Sequence, residues 1–183
     1  MSQQFLQDKH ILLGISGGIA AYKCGELIRQ FVKAGAEVKV IITQGGLQFI
    51  TPLTLQTLSK NQVYSDVFDE KNPYTTEHVA LSDWGDCLVV APASADILGK
   101  FAHGIADDAL STTFLAFDKP VFLAPAMNTR MYHHPMVQKN LKDLEAIACQ
   151  LIPVGEGELA CGVTGQGRMA EPIDIMHFVA EHL

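Results

Sequence analysis

Short, almost uninterrupted apolar runs recur along the chain, each followed by a turn and a stretch with helical spacing. They are HILLGIS (10–16), EVKVIIT (37–43), DCLVVAPA (86–93) and PVFLAPA (120–126). Strands that are buried on both faces have this composition, and such strands belong to parallel sheets covered by helices. The alternation of strands and helices therefore predicts an α/β, three-layer, Rossmann-like (flavodoxin-like) domain with a mostly parallel sheet.

The segments between these runs have the spacing of amphipathic helices, and several carry end signals. In residues 19–34, apolar residues share one face and charged residues the other, and Gly35 is a suitable stop. Thr51 and Pro52 suit the cap and first turn of a second helix. Further helices are predicted at 95–103, at 107–117, from Pro135 to about 147 and from Pro172, shorter strands at 62–68 and 149–154, and a glycine-rich loop after the last strand.

Length and composition restrict the class of protein. The 183 residues contain no repeat or linker, so we expect a single domain over 1–183. A net charge of −7 does not favour a nucleic-acid partner. No apolar stretch reaches membrane-spanning length and the polar start is unlike a signal peptide, so no membrane partner is expected. The four cysteines have neither paired nor metal-site spacing, which favours a cytoplasmic protein without a metal site.

Small or polar residues follow every predicted strand. In open parallel sheets, ligands bind beyond the carboxyl ends of the strands. Any one of these ends could be an ordinary turn, but together they indicate a site along one edge of the sheet. The residues concerned are Ser16, Gly17 and Gly18, then Thr43, then Ser94, Ala95 and Asp96, then Met127 and Asn128, and finally the loop that contains Cys161.

The first of these ends favours a ligand with a phosphate. GISGGIAAYK (14–23) places two glycines before a helix, a backbone arrangement that binds anions. It is not the dinucleotide pattern GxGxxG, and no acidic residue follows the second strand to hold a ribose, which weakens the case for NAD. No GxxxxGK[ST] occurs, which weakens the case for ATP. A mononucleotide such as FMN remains compatible with the loop.

Three segments carry a family resemblance: GISGGIAAYK (14–23), PAMNTRMY (125–132) and ACGVTGQGRM (160–169). In order and over nearly the whole chain, they resemble the homo-oligomeric flavin-containing cysteine decarboxylases. TTEHVALSDW (75–84) and the segment 91–111 also fit. The likeness is greatest to members that act on 4′-phosphopantothenoylcysteine, in particular the amino-terminal half of a bacterial bifunctional enzyme of coenzyme A biosynthesis.

The resemblance implies a single FMN-binding domain that assembles as a homo-trimer or a dodecamer, with active sites between subunits. It implies decarboxylation of 4′-phosphopantothenoyl-L-cysteine to 4′-phosphopantetheine. The cysteine end is oxidised to a thioaldehyde, CO₂ leaves to give an enethiol, and the enethiol is reduced, so that the cofactor performs the difficult step. A phosphopantothenate–cysteine ligase, fused or separate, is the implied protein partner.

The resemblance also implies roles for individual residues. His78 is the catalytic base, and Asn128 binds the substrate carboxylate, with Met131 beside it. Cys161 donates a proton as the enethiol is reduced, and Ala160 lies with it in a flap over the substrate. Flavin contacts are implied for Gly17, Gly18, Ile19, Thr43, Phe49, Ser94, Ala95, Asp96, Ile97 and Ala126. Two positions depart from the family: Asp96 replaces a frequent asparagine and Tyr132 a frequent tryptophan.

Other residues have simpler explanations. Cys24, Cys87 and Cys149 are predicted to be small buried hydrophobes. His133 and His134 are predicted to be loop residues rather than a metal pair. Lys23 falls on the polar helix face, where solvation is the default, and whether Lys23 or Arg168 meets a phosphate is open.

Several other functions compete with this interpretation. A peptidyl-cysteine decarboxylase shares the histidine and the asparagine but lacks the reducing cysteine. A flavin prenyltransferase, a non-catalytic FMN-binding regulatory subunit and a simple electron carrier would not need all three motifs. The end of the sequence is compatible with a native terminus or with a cut before a synthetase domain.

Overall fold

A computed structural model of the chain describes residues 5–66, 77–158 and 164–183. Its strands are β1 (His10–Ile15), β2 (Glu37–Ile42), β3 (Val63–Tyr64), β4 (Cys87–Ala93), β5 (Val121–Pro125), β6 (Gln150–Leu151), β7 (Gly155–Glu158) and β8 (Thr164–Arg168). Its α-helices are α1 (Cys24–Lys33), α2 (Pro52–Ser59), α3 (Glu77–Trp84), α4 (Ala95–Ala102), α5 (Ala109–Ala116), α6 (Thr129–Tyr132), α7 (Pro135–Ala146) and α8 (Pro172–His182). Short 3₁₀ helices cover Ile19–Lys23 and Gly46–Gln48.

Six of these strands form one sheet in the order β3-β2-β1-β4-β5-β6. Every neighbouring pair in it is parallel. This is the strand order of the Rossmann fold, and it reverses direction between β1 and β4. The sheet confirms the predicted Rossmann-like α/β class and fixes β1 and β4 as the switch point, beside which ligands bind in such folds.

Helices cover both faces of the sheet and give the predicted three layers. Alternate residues of β1 point to opposite faces. Ile11 and Leu13 belong to a buried cluster with Phe31 of α1. Leu12 belongs to a second cluster on the other face, formed with α3, α4, α5 and α7. Strands buried on both sides explain why the sequence shows continuous apolar runs rather than a period of two.

Helix ends follow the signals in the sequence. The side chain of Thr51 caps α2 by accepting from the backbone N–H of Thr54 at 3.3 Å. Asp108 caps α5 in a capping box with Ser111. Gly35 lies beyond the end of α1 with φ +98°, a conformation that a residue with a side chain rarely adopts. These ends therefore agree with the predicted helices to within a few residues.

Four local predictions are corrected. The helix predicted over 19–34 begins as a 3₁₀ helix at Ile19–Lys23 and becomes α-helical only at Cys24. The strand predicted at 149–154 contains only Gln150–Leu151, and in the described part of the one predicted at 62–68, residues 62–66, only Val63–Tyr64 form a strand. The glycine-rich loop is largely an antiparallel hairpin of β7 and β8. The sequence does not reveal these strands, because glycines hide the alternation of side chains that indicates a strand.

No helix within the described ranges is long and apolar enough to cross a membrane.

Candidate active site

A cavity of about 320 Å³ opens at the carboxyl ends of β1, β4 and β5, beside the switch point. Its walls are mainly small or apolar residues, with an asparagine and a serine among them. The lining residues are Gly17, Gly18, Ile19, Ala20, Ser94, Ala95, Ala126, Met127, Asn128, Met131 and Gly167. The topology therefore brings three of the five predicted strand ends together around one space.

A buried serine joins the ends of β1 and β4. The Ser16 hydroxyl donates to the carbonyl of Pro92 at 2.6 Å and accepts from the backbone N–H of Ser94 at 2.9 Å. The side chain of Ser94 in turn caps α4 by accepting from the N–H of Ile97 at 3.3 Å. Only 2% of Ser16 is exposed, so water cannot replace these hydrogen bonds easily. Two walls of the cavity are thus fixed relative to each other.

Close backbone contact explains the first glycine of the loop after β1. A Cβ added at Gly17 would lie 3.0 Å from Cα of Gly45, in the segment that follows β2. The two segments therefore pass each other with no room for a side chain. The Thr43 hydroxyl accepts from the N–H of Gly46 at 3.2 Å and shapes this turn, but Thr43 is not among the residues that line the cavity.

The asparagine of the PAMN segment has a fixed orientation. Asn128 Oδ1 accepts from the backbone N–H of Arg130 at 2.8 Å and caps α6. The other polar group of this side chain is the amide NH₂, a hydrogen-bond donor. Met131, one turn along α6, lies at the cavity with 48% of its surface exposed. An amide donor and a thioether thus share one wall.

The hairpin of β7 and β8 closes another side of the cavity. The backbone N–H of Met127 donates to the carbonyl of Gly167 at 2.9 Å. Gly167 has φ +119°, and a Cβ there would lie 2.5 Å from the carbonyl oxygen of Met127. Glycine is required here by both its conformation and its neighbour. Cys161 and Ala160, which come between β7 and β8 in the sequence, lie outside the described residues.

The predicted flavin contacts fall into two groups. Gly17, Gly18, Ile19, Ser94, Ala95 and Ala126 line the cavity together. Thr43, Phe49, Asp96 and Ile97 do not. Ile97 is fully buried in the core, and the side chain of Asp96 is 76% exposed and 3.7 Å from Lys100. Asp96 therefore interacts with its own helix surface in the isolated chain.

Two further cavity residues, Ala20 and Gly167, are absent from the predicted site, and a third, Met127, is predicted at this edge of the sheet without an assigned role. Each lies inside a motif that the sequence already singles out: GISGGIAAYK, PAMNTRMY or ACGVTGQGRM. Their position beside a predicted contact is the signal that could have found them. Ser16, which supports the cavity without lining it, follows the first strand directly.

The two cations next to the site share one carboxylate. Lys23 Nζ lies 2.8 Å from Glu171 Oε1, and Arg168 Nη2 lies 2.9 Å from the same oxygen. The side chain of Lys23 is only 10% exposed, so the prediction that it is solvated is wrong. The hydrogen bond from Lys23, followed by the positive charges of Lys23 and Arg168, lowers the pKa of Glu171. This carboxylate joins the turn after β1 to the end of β8.

His78 lies on the first turn of α3, away from the residues that line the cavity. Its backbone carbonyl accepts from the Ser82 hydroxyl at 2.7 Å. The side chain is partly exposed. Within one chain, His78 and Asn128 are therefore not brought to the same cavity.

The remaining cysteines are buried as predicted. Burial raises the pKa of the Cys24 thiol well above its usual value and that of the Cys149 thiol to about 11. Burial, with the nearby charge of Asp86, raises the pKa of Cys87 to about 12. These thiols stay protonated and unreactive at neutral pH.

The paired histidines have a local structural explanation. His134 Nδ1 accepts from the N–H of Met136 at 3.2 Å and caps α7, so its other nitrogen carries the proton when the ring is neutral. Among residues 5–66, 77–158 and 164–183, no group of three His, Cys, Asp or Glu side chains is placed to hold a metal ion.

Residues 1–183 match the Flavoprotein family. The chain belongs to this family. This flavoprotein is 48% identical over 177 residues to the Coenzyme A biosynthesis bifunctional protein CoaBC of Bacillus subtilis (strain 168), a match that covers 97% of our chain and 44% of that protein. It is 44% identical over 177 residues to a probable phosphopantothenoylcysteine decarboxylase of Streptococcus mutans, covering 96% and 99% of the two chains. Our flavoprotein thus spans less than half of the first relative and nearly all of the second.

Solved structures have the same fold. A Cys-to-Ser mutant of PPC decarboxylase complexed with pantothenoylaminoethenethiol matches this flavoprotein with a TM-score of 0.87 at 36% identity, covering 96% and 98% of the two chains. The FMN binding protein AtHal3 matches with a TM-score of 0.86 at 37% identity, covering 96% and 97%. The family resemblance stated from the three sequence motifs is therefore confirmed.

Proposed function

We propose that this flavoprotein binds FMN and decarboxylates 4′-phosphopantothenoyl-L-cysteine to 4′-phosphopantetheine in coenzyme A biosynthesis. The observation that carries the proposal is the single cavity at the switch point. Asn128 and Met131 line it together with the glycine turn after β1 and the small residues after β4. The similarity to a probable phosphopantothenoylcysteine decarboxylase along almost its whole length supports the assignment.

The cavity residues fit a flavin mononucleotide. Small side chains at Ala95 and Ala126 leave room for a flat ring system, and Gly17 and Gly18 let a ligand approach the backbone. The 3₁₀ turn that starts at Ile19 presents backbone N–H groups without an intrahelical partner, and these suit a phosphate. The FMN binding protein AtHal3, which shares the fold at 37% identity, supports the choice of FMN.

Each proposed catalytic residue has a defined task. The amide NH₂ of Asn128 would donate to the substrate carboxylate and orient it for the loss of CO₂. His78 would take a proton from the cysteine end of the substrate, and Cys161 would return one to the carbon chain. When bound, the flavin supplies a hydride acceptor that later returns the hydride, so the net reaction needs no outside oxidant.

We also propose that the active site is completed between subunits of a homo-trimer or dodecamer. His78 is absent from the residues that line the cavity of one chain, while Ile19 and Met131 of the lining, and Phe49 after β2, are large apolar residues with exposed surface. Ile19 is 57% exposed, Phe49 45% and Met131 48%, values that suit contact with a second copy. Mixing His78→Asn with Asn128→Asp subunits should restore activity if the two residues act across an interface, and should not if both act within one chain.

The proposed unit is one FMN-binding decarboxylase domain over 1–183, acting in the cytoplasm. Our chain matches only 44% of the bifunctional relative. The unmatched part of that protein supports a phosphopantothenate–cysteine ligase as a fused or separate partner. The similar PPC decarboxylase mutant, complexed with an enethiol, supports the role of Cys161. A Cys161→Ser variant should release CO₂ and accumulate the enethiol with reduced flavin. Normal turnover by that variant would exclude Cys161 from the mechanism.

The deciding experiment has two steps. Purified protein should be yellow and contain one FMN per chain. Incubated with 4′-phosphopantothenoylcysteine, it should give 4′-phosphopantetheine by mass spectrometry, while a cysteine-terminated peptide stays unchanged. A colourless protein that does not take up FMN would refute the proposal, and decarboxylation of the peptide alone would favour a peptidyl-cysteine decarboxylase. FMN binding without turnover of either substrate would favour a regulatory subunit.

A further inference from the structure

The helix that carries His78 is too short to hold its own position. Helix α3 has 8 residues, about two turns, and helices of this length are marginal without tertiary contacts. The position of α3 therefore depends on the contacts that surrounding residues make with it. In the described part of the molecule, the strongest polar contacts are made at its carboxyl end.

Lys119 binds three backbone carbonyls at that end. Its Nζ lies 3.2 Å from the oxygen of Ser82, 2.9 Å from that of Asp83 and 2.6 Å from that of Gly85. The first two belong to the last turn of α3, whose carbonyls have no intrahelical partner. An ammonium group at the negative end of a helix is favourable, and each hydrogen bond is strengthened by the charge. Lys119 lies between α5 and β5, so it fixes α3 to the central sheet.

Ser82 extends this contact to the backbone of His78. The carbonyl of Ser82 accepts from Lys119, and its hydroxyl donates to the carbonyl of His78 at 2.7 Å. Ser82 is only 6% exposed, so water competes weakly for either hydrogen bond. A continuous path of two hydrogen bonds thus runs from the Lys119 ammonium to the first turn of the helix.

Other described residues contact the later part of α3. Leu81 is buried in the core on that face of the sheet. The Trp84 ring stacks on His10 at 4.5 Å, and Lys39 Nζ lies 4.2 Å from the centre of the same ring. These contacts anchor α3 as a unit, whereas the path through Ser82 reaches the residue that carries the proposed base.

We propose that Lys119 is a positioning residue for His78, which it aligns through the end of α3 and through Ser82. The inference rests on the proposed catalytic role of His78. Lys119 is not among the residues that line the cavity, so it affects the orientation of the base rather than binding. Loss of Lys119 should therefore lower kcat and leave substrate and flavin binding almost unchanged.

The test compares Lys119→Met with wild type in the FMN-loaded enzyme. We expect kcat to fall about tenfold, since small displacements of a catalytic group have effects of this size or larger. KM should stay within about twofold, as expected when an interaction made only in the transition state is weakened. Lys119→Arg, which can still donate to the carbonyls, should recover most of kcat. Lys139→Met is the matched control, because Lys139 pairs only with exposed Asp143 in the described structure.

A second variant covers the case in which Lys119→Met does not fold. Ser82→Ala keeps Lys119 but removes the hydroxyl that reaches His78, and should lower kcat with KM unchanged. In the double variant the two losses should not add, because they interrupt one path. Unchanged kcat in Lys119→Met or Ser82→Ala, equal losses in Lys139→Met, or fully additive losses would each overturn the inference. If the wild-type protein binds FMN but does not decarboxylate the substrate, the proposed function itself fails. If the wild-type enzyme is active and Lys119→Met is equally active, only the inference about Lys119 fails.

Discussion

The cavity has two halves that are built in different ways. The half formed by the ends of β1 and β4 is joined by one buried residue, Ser16, which follows β1 directly and hydrogen-bonds to Pro92 within β4 and to Ser94 directly after it. The half formed by the hairpin belongs to a separate two-stranded sheet of β7 and β8, and it is joined to the rest through Gly167 and Glu171. The first half is supported by neighbouring strands of the six-stranded sheet, while the second depends on individual contacts made outside that sheet.

The largest expected effect concerns Asn128, at the boundary between the two halves. Asn128→Asp keeps the oxygen that caps α6 but replaces the amide donor with a second negative charge facing the substrate carboxylate. We expect kcat/KM to fall by about 10³-fold, comparable with the loss of a donor from an oxyanion hole. Steady-state kinetics and the flavin content of the same preparation measure it.

The control for Asn128 is Asn128→Ala, which loses both the donor and the cap. If the donor matters most, both variants should lose activity, and only the alanine variant should lose stability, by about 1 kcal/mol. An active Asn128→Asp enzyme would remove Asn128 from substrate binding.

The next effect separates two glycines, one from each half. Gly167→Ala would place a Cβ 2.5 Å from the Met127 carbonyl oxygen at φ +119°. We expect a loss of about 2–3 kcal/mol in the free energy of unfolding, from strain and a forced shift of the backbone. Urea denaturation of the flavin-free protein measures this without a contribution from ligand binding.

Gly18→Ala is the comparison for the strand-end half. Gly18 has φ −177°, which any residue adopts, and an added Cβ would meet only Pro92 Cγ at 4.0 Å. The loss of stability should therefore stay below about 1 kcal/mol. Equal losses of stability in the two variants would show that the hairpin half requires glycine no more strictly than the strand ends do.

These two halves also differ in how well the sequence predicts them. Apolar runs and the residues that follow them place Gly17, Gly18, Ser94 and Asn128 at one edge of a parallel sheet, because local spacing determines strand ends. For the hairpin, the sequence predicts a loop, since a strand such as TGQGR lacks the alternating pattern of large side chains.

A contact between distant residues accounts for another error. The position of Lys23 on a helical wheel predicts that it is solvated, yet its partner Glu171 is 148 residues away. The flavin contact of Ile97 stays a prediction, and its side chain lies in the core. Local periodicity gives the face of a helix and cannot give the residue that will pack against that face.

The third effect tests the support within the strand-end half. Ser16→Ala removes a hydroxyl that both donates to Pro92 and accepts from Ser94 in a buried position. We expect a loss of about 2 kcal/mol, since buried partners are left unsatisfied. Thr57→Ala is the control, because the Thr57 hydroxyl donates to the Leu53 carbonyl on an exposed helix, and its loss should cost less than about 0.5 kcal/mol. Similar losses in both variants would mean that Ser16 adds no special support.

The smallest effect concerns Glu171, which joins the two halves through Lys23 and Arg168. Because the partly exposed pairs are screened by solvent, Glu171→Gln should lower the free energy of unfolding by less than about 1 kcal/mol. The pKa of Glu171 is lower in the folded than in the unfolded chain, where the pKa of glutamate is about 4.3. Its contribution is therefore complete above that value and is lost as the pH falls through the folded pKa. Unfolding of wild type and Glu171→Gln, compared from neutral to acidic pH, should show a difference that disappears on acidification and shrinks in high salt. A difference that persists at low pH would mean that Glu171 acts through packing rather than charge, and that the hairpin is held to the strand ends mainly by the Met127–Gly167 hydrogen bond.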